Sequence, residues 1–293
     1  MTLSDQVAIV TGGGRGIGRA IALALVREGA RVALLARTRE ELEETAALAG
    51  EHRSRVLVTP ADITDEQAVG RVVKQVDDHF GPVSLLVNNA ATYTIGEPPL
   101  WEADLDDWWR TVEVNVRGPL VCSRAVLPTM LSEGRGRVIM VASDLGALPC
   151  PLTAYQFSKA ARIRITESLG LSLDASGDTG VRTFSINPGS VRTRMTEPFA
   201  ARFPDHDWTP AGESGRLVAA LATGRYDALH GRYLSVHEDL DRLLGRIAEV
   251  REQELYVERM RVFGPPGASV EITAKLTGVT RGDQPIGWSV TGT

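Results

Sequence analysis

Tyr155 and Lys159 stand four residues apart in a stretch with helical periodicity. One turn of helix therefore brings a phenol and an ammonium to the same face, within reach of one ligand. A phenol with an unperturbed pKa near 10 is a poor acid–base group at neutral pH. An ammonium beside it favours the phenolate, and a shift of about 2 to 3 units corresponds to roughly 3 to 4 kcal/mol of differential interaction, within the means of a partly buried charge. Lysine is scarce in this chain, Lys74, Lys159 and Lys275 being the whole set, so finding one at this spacing is informative. Arginine is abundant, but its flat guanidinium is not interchangeable with a compact ammonium. A surface amphipathic helix can share the same spacing, so the reading needs partners elsewhere in the chain.

The first partner is the stretch 7–18, an apolar run that breaks into glycines and resumes with helical periodicity. It reads as strand, tight turn and helix. Gly12 can take a backbone angle other residues resist, Gly16 lets the main chain approach a bulky anion, and Gly18 lets the helix lie close on the sheet. The helix N-terminus then directs free N–H groups and the positive dipole end at the turn, which makes a pyrophosphate site. A glycine-rich surface turn without a ligand would share part of this pattern. An NAD site places an acid about 20 residues past the glycines to accept from the ribose hydroxyls. This chain has Ala36 there, followed by Arg37, and Arg15 sits in the glycine turn. Two guanidinium groups and no carboxylate suit a 2′-phosphate, so the expected cofactor is NADP(H).

The elements that must hold these groups follow from the apolar pattern. Continuous apolar runs at 31–36, 55–60, 84–88, 136–142, 181–186 and 232–236 have strand length, and runs without alternation mark strands buried on both faces. Helices are expected from about 39 to 50, from Thr64 or Asp65 to Phe80, over a long stretch from 101 to 131 with Asn115 near its middle, and from 152 to 176. Strands alternating with helices imply an α/β fold, a doubly wound parallel sheet that binds its ligand at the carboxyl ends of the strands. Residues 191–210, mixed aromatic and polar, are expected to form a flexible cover.

Taken together, Thr11 to Gly18, Asp62 with Ile63, Asn88-Asn89-Ala90, Asn115, Ser143, Tyr155 with Lys159, and Pro188-Gly189 followed by Val191 and Thr193 resemble the short-chain dehydrogenase/reductase family, in its single-domain branch, over roughly residues 4 to 236. The resemblance implies a seven-stranded Rossmann-type sheet. It implies cofactor contacts from Gly12, Gly14, Arg15, Gly16, Ile17, Gly18, Arg37, Asp62, Ile63, Asn89, Ala90, Pro188, Gly189, Val191 and Thr193, with Tyr155 and Lys159 also touching the cofactor. The acid–base set would be Asn115, Ser143, Tyr155 and Lys159. In it Lys159 binds the cofactor ribose, Ser143 bonds the substrate carbonyl, and Asn115 helps hold a proton-relaying water. Two departures stand out: Ala91 replaces the glycine of the Asn-Asn-Ala-Gly motif, and His237-Glu238-Asp239 replaces paired glycines after the last strand. The implied activity is an NADP(H)-dependent oxidoreductase interconverting a ketone or aldehyde with an alcohol. A non-redox isomerase or cyclase, or a nucleotide-sensing module, remains open on the same fold. In this family the segments holding Tyr93, Trp101, Trp108, Phe199, Phe203 and Trp208 flank the active site, which suggests an apolar or aromatic small-molecule substrate. Relatives also associate, so a homodimer or homotetramer is expected.

Composition narrows the classes. With 293 residues, a formal charge of -5 and no long basic tract, the chain does not look like a nucleic-acid scaffold. Its five histidines are scattered and its two cysteines, Cys122 and Cys150, stand in no metal or redox spacing, so no metal site and a reducing, cytoplasmic location are expected. No run approaches the ~20 apolar residues of a membrane span. One domain is expected over 1–263, with 264–293 as an extension. From Glu238, apolar residues Leu240, Leu243, Leu244, Ile247, Val250 and Leu255 make one face of a helix that ends at Gly264-Pro265-Pro266-Gly267. Alternation beyond it predicts a hairpin, packed on a neighbouring subunit or on its own.

Overall fold

The computed structural model describes residues 2–94, 96–177 and 179–258. Seven strands form one parallel sheet: β1 (Val7–Thr11), β2 (Arg31–Ala36), β3 (Val56–Pro60), β4 (Leu85–Asn88), β5 (Gly136–Val141), β6 (Val181–Asn187) and β7 (Tyr233–Ser235). Their order is β3-β2-β1-β4-β5-β6-β7. The chain crosses from one edge to the centre between β3 and β4, so the carboxyl ends of β1 and β4 flank the switch point where such sheets bind ligands.

The helices are α1 (Gly16–Arg27), α2 (Arg39–Ala47), α3 (Glu66–Phe80), α4 (Leu105–Val112), α5 (Gly118–Ser132), α6 (Asp144–Ala147), α7 (Thr153–Ala175), α8 (Glu197–Arg202), α9 (Ala211–Ala222), α10 (Leu240–Gly245) and α11 (Ile247–Glu252). Strand residues alternate between two cores. Ala8, Val10, Val32, Leu34 and Ile186 point to the layer of α1 and α9, while Val7, Ile9, Ala33, Leu35 and Val138 point to the layer of α3 and α5. Covering both faces is what removes polar alternation from β1 and β2. Asp65 and Asp104 cap α3 and α4, each accepting from two main-chain N–H groups.

Three sequence expectations change. The long helix expected over 101–131 is interrupted: a short turn at Leu100–Glu102 precedes α4, and a π-helical turn, Glu113–Arg117, joins α4 to α5. Pro119 is the physical reason, because it lacks the N–H that a regular helix would direct at the Asn115 carbonyl. The cover at 191–210 contains a helix, α8. The helix expected from Glu238 is broken at Arg246, and the chain takes left-handed backbone at Glu254 (φ 50) and Tyr256 (φ 62). Leu240, Leu243 and Val250 are buried all the same, so two short helices satisfy the periodicity that reads as one. The end of that expected helix, the domain boundary at 263 and the hairpin lie outside the described residues.

Candidate functional site

The glycine turn is built as its spacing requires. Gly12 and Gly16 take φ of +66° and +55°, and a Cβ at Gly12 would lie 2.8 Å from Asn89 Nδ2. A Cβ at Gly18 would overlap the Gly12 carbonyl oxygen. Arg15, at the N-cap of α1, is extended and makes no side-chain cap, which leaves the first N–H groups of the helix for an anion. The turn is braced from the neighbouring strand end: Asn89 Nδ2 donates to the Thr11 carbonyl at 2.9 Å, and the Asn89 and Ala90 N–H groups donate to Thr11 Oγ1, each at 3.0 Å. Gly14 is fixed by Arg19, whose Nη2 donates to its carbonyl at 2.6 Å. Ile17 packs against the α1 core.

These residues fit a dinucleotide. At the end of β2, Ala36 and exposed Arg37 offer no carboxylate to ribose hydroxyls. Arg15 Nη1 is paired with Glu41 Oε1 at 2.6 Å, and Arg194 reaches the same carboxylate at 3.6 Å. Asp62 accepts from the Thr64 N–H and hydroxyl at 2.9 and 2.8 Å. Burial opposes its ionisation, but those bonds and the charges of Arg37 and Arg110 hold its carboxyl below the usual value. Ile63 is buried and fills the space Gly118 leaves at the start of α5. Across the cleft, Pro188 and Val191 are buried, Gly189 lies tight against Thr209, and Thr193 would touch a Cβ on Gly16 at 3.2 Å. The segment after β6 thus lies over the glycine turn.

The residues expected to do acid–base chemistry gather at the carboxyl ends of β4 and β5. Ser143, just past β5, lies close enough to Tyr155 for its hydroxyl to favour the phenolate, and its Oγ accepts from the Leu145 N–H at 3.2 Å. Lys159 Nζ sits 5.4 Å from the Tyr155 ring centroid and donates to the Val141 carbonyl at 3.0 Å. Asn115 is wholly buried, and its side chain is fully engaged: Oδ1 accepts from the Thr92 N–H at 2.7 Å, while Nδ2 donates to the Thr92 carbonyl at 2.7 Å and to Ser158 Oγ at 3.0 Å. The α7 N-terminus, which carries Tyr155, is closed by Glu97 Oε1, accepting from the Ala154 N–H at 2.9 Å and the Thr153 hydroxyl at 2.7 Å.

Electrostatics differ from the expectation of a phenol lowered by its lysine. Burial pushes Tyr155 up to about 12, against which the charge of Arg162 and the nearby Ser143 hydroxyl pull downward. Lys159, only 3 % exposed, is brought well below its ordinary value by burial and then by Arg162. The sequence reading missed Arg162. It lies three residues after Lys159 on α7 and is 0 % exposed. Its Nε donates to the Asn115 carbonyl at 2.7 Å, Nη1 to the carbonyls of Asn88 (3.0 Å) and Val141 (2.9 Å), and Nη2 to that of Ala90 (2.5 Å). Asn115, expected to help hold a relay water, therefore has a guanidinium N–H on its main-chain carbonyl. The available signal was Pro119, four residues after Asn115.

The six aromatics separate. Tyr93 packs edge-on to Tyr155 at 5.7 Å and donates its hydroxyl to the Met195 carbonyl at 2.7 Å, tying the segment after β4 to the cover. Phe199 contacts Phe203 and Trp208 within the cover. Trp108 donates to the Thr153 hydroxyl at 3.0 Å and stacks near Phe157, whereas Trp101 is 83 % exposed. Among the described residues no group of three His, Cys, Asp or Glu side chains could hold a metal ion, and no helix is long and apolar enough to cross a membrane.

Residues 6–202 match the short chain dehydrogenase family. A short chain dehydrogenase of Pseudocercospora fijiensis is 35% identical over 260 residues, covering 83% of each chain. A sorbitol dehydrogenase of Cereibacter sphaeroides is 37% identical over 228 residues, 77% of this chain and 86% of its own. A crystal structure of a variant actinorhodin polyketide ketoreductase with NADPH superposes with a TM-score of 0.73 at 28% identity, covering 80% of this chain and 97% of that one. With a glycine turn at the switch point, a Tyr155–Lys159 helix beside it and this match over most of its length, the chain belongs to the short chain dehydrogenase family of oxidoreductases.

Proposed function

We propose that the protein is an NADP(H)-dependent oxidoreductase that interconverts a ketone or aldehyde with an alcohol, with Tyr155 as its acid–base group. The observation that carries this reading is the meeting of the Tyr155 phenol, the Ser143 hydroxyl and the Lys159 amine at the end of β5, across the cleft from a glycine turn fit for pyrophosphate. When bound, the nicotinamide supplies the hydride to the carbonyl carbon or accepts it from the alcohol carbon. In the reducing direction, Ser143 donates a hydrogen bond to the carbonyl oxygen and Tyr155 gives that oxygen its proton. In the oxidising direction, Tyr155 takes the hydroxyl proton. Lys159 holds the ribose, Asn115 fixes the Thr92 segment against α7, and Tyr93 walls the site from water.

Arg37 and Arg15 support the preference for a 2′-phosphate, as does the absence of an acid at the end of β2, where Ala36 and Arg37 stand. The relatives named for sorbitol oxidation and for polyketide ketone reduction with NADPH support carbonyl–alcohol chemistry. Phe199, Phe203 and Trp208 in the cover suit an apolar or aromatic substrate. The test is a panel of ketones and secondary alcohols read by cofactor absorbance. Stoichiometric oxidation of NADPH by a ketone supports the reading. Product formation with no net change in cofactor would instead favour an isomerase or cyclase.

A further inference from the structure

Two cations share one carbonyl beneath Tyr155. The Val141 oxygen accepts from Lys159 Nζ at 3.0 Å and from Arg162 Nη1 at 2.9 Å. Both side chains come from α7, one helical turn apart, and both are buried. The four acceptors of the guanidinium are all main-chain carbonyls, those of Asn88, Ala90, Asn115 and Val141, and all are neutral. Tyr155 and Cys122 favour the charged form of Arg162, and Lys159 opposes it. Burying an uncompensated ion costs several kcal/mol, whereas an apolar side chain at this point of the helix would carry no such penalty.

We propose that Arg162 is a positioning residue that sets the charge of the Tyr155 centre: its guanidinium supplies a fixed positive charge at the end of β5 and shares the Val141 carbonyl with the Lys159 amine. The proposal rests on the reading of Tyr155 as the acid–base group. Arg162 remains cationic across the working range, since burial brings it down only to about 10. A lysine confined to the same carbonyl feels that charge without a carboxylate to offset it, and the energy falls if the amine gives up its proton. The division of labour is then clear. Arg162 holds the strand ends and the permanent charge, and Lys159 is free to change protonation with Tyr155.

Of the carboxylates at this end of the sheet, Asp144 accepts from the Tyr233 hydroxyl and Glu97 Oε1 from the start of α7, while Lys159 and Arg162 donate to main-chain carbonyls. Cys122 of α5 is pushed up to about 12 by burial, and Tyr93, after β4, is also raised by burial. Tyr233 of β7 is raised by burial and by its bond to Asp144. Cys150, before α7, completes the set around Tyr155.

Because the chain has only Lys74, Lys159 and Lys275, the proposal can be read directly by NMR titration of the full-length protein labelled with [13Cε]lysine, with Lys159 assigned by the signal lost in Lys159→Met. Lys74 and Lys275 serve as internal references. In the native protein Lys159 should titrate well below the range of Lys74 and Lys275. In Arg162→Gln, which keeps a donor but removes the charge, its midpoint should rise by about one unit, while Arg162→Lys should hold it near the native value. If Arg162→Gln does not fold, Arg162→Leu combined with Pro119→Ala, which returns a helical N–H to the Asn115 carbonyl, carries the same titration. An ordinary Lys159 midpoint in the native protein, or one that does not move when the charge is removed, overturns the proposal. Neither result depends on turnover. The Tyr155 reading fails separately, if Tyr155→Phe retains turnover.

Discussion

The Asn115 carbonyl accepts a 2.7 Å hydrogen bond from Arg162 Nε at a point where Pro119 has no N–H to offer it. That bond uses the main chain and survives any substitution at Asn115. The side chain does something else: it joins Thr92 to Ser158. Asn115→Ala should leave the half-buried Thr92 N–H and carbonyl short of partners, at a cost of about 1 kcal/mol or more. A fall of several degrees in the thermal midpoint is expected, with a parallel loss of turnover as the Tyr93 segment loosens. An unchanged midpoint would show that the Thr92 clamp is not holding the segment.

The glycine turn makes a sharper prediction. Gly18→Ala places a methyl group where it overlaps the Gly12 carbonyl oxygen. The turn must open to admit it, so NADPH affinity measured by nicotinamide fluorescence should fall at least about tenfold, a loss of roughly 1.4 kcal/mol. Affinity equal to that of the native protein would remove the turn from the cofactor site.

Cofactor choice should follow the end of β2. NADP(H) should bind more tightly than NAD(H), and Ala36→Asp combined with Arg37→Ala should narrow or reverse the preference. Glu41 holds Arg15 at 2.6 Å, so Glu41→Gln should release that guanidinium and tighten NADPH severalfold at low salt. Equal affinities for the two cofactors in the native protein would dispose of the 2′-phosphate argument.

Stability should depend on pH through Lys159. Burial, then Arg162, lowers its folded-state value, so the unfolded chain binds more protons than the folded one between that lowered value and about 10.4. Stability therefore rises with pH across this window. Tyr155 acts in the opposite sense above about 10, where the folded phenol, pushed up to about 12, keeps a proton the unfolded chain releases. The thermal midpoint should climb with pH up to about 10 and then turn down, and Lys159→Met should flatten the climb. Identical slopes in the two proteins would show that Lys159 is not its source.

Much of this was legible in the sequence because it is written in backbone requirements. Glycines 12, 16 and 18 had to be a strand–turn–helix, and unbroken apolar runs had to be strands buried on both faces. Tyr155 and Lys159 declared themselves by helical spacing. Arg162 did not. It stands two residues before Arg164, and that second arginine is half-exposed and paired with Glu167, as an arginine on a helix usually is. Only the tertiary structure shows that the turn from Lys159 to Arg162 faces the ends of β4 and β5. The break at Arg246 was hidden for a related reason: both short helices cover the same core, so apolar periodicity runs across the gap.

The most direct test of the account is turnover in Tyr155→Phe with the cofactor-binding constant measured alongside it. Removing one hydroxyl leaves the ring, its edge contact with Tyr93 and the glycine turn in place. NADPH affinity should remain close to the native value while turnover falls by several orders of magnitude. Turnover within about tenfold of the native enzyme, about 1.4 kcal/mol of transition-state stabilisation, would contradict the assignment of Tyr155 as the acid–base group.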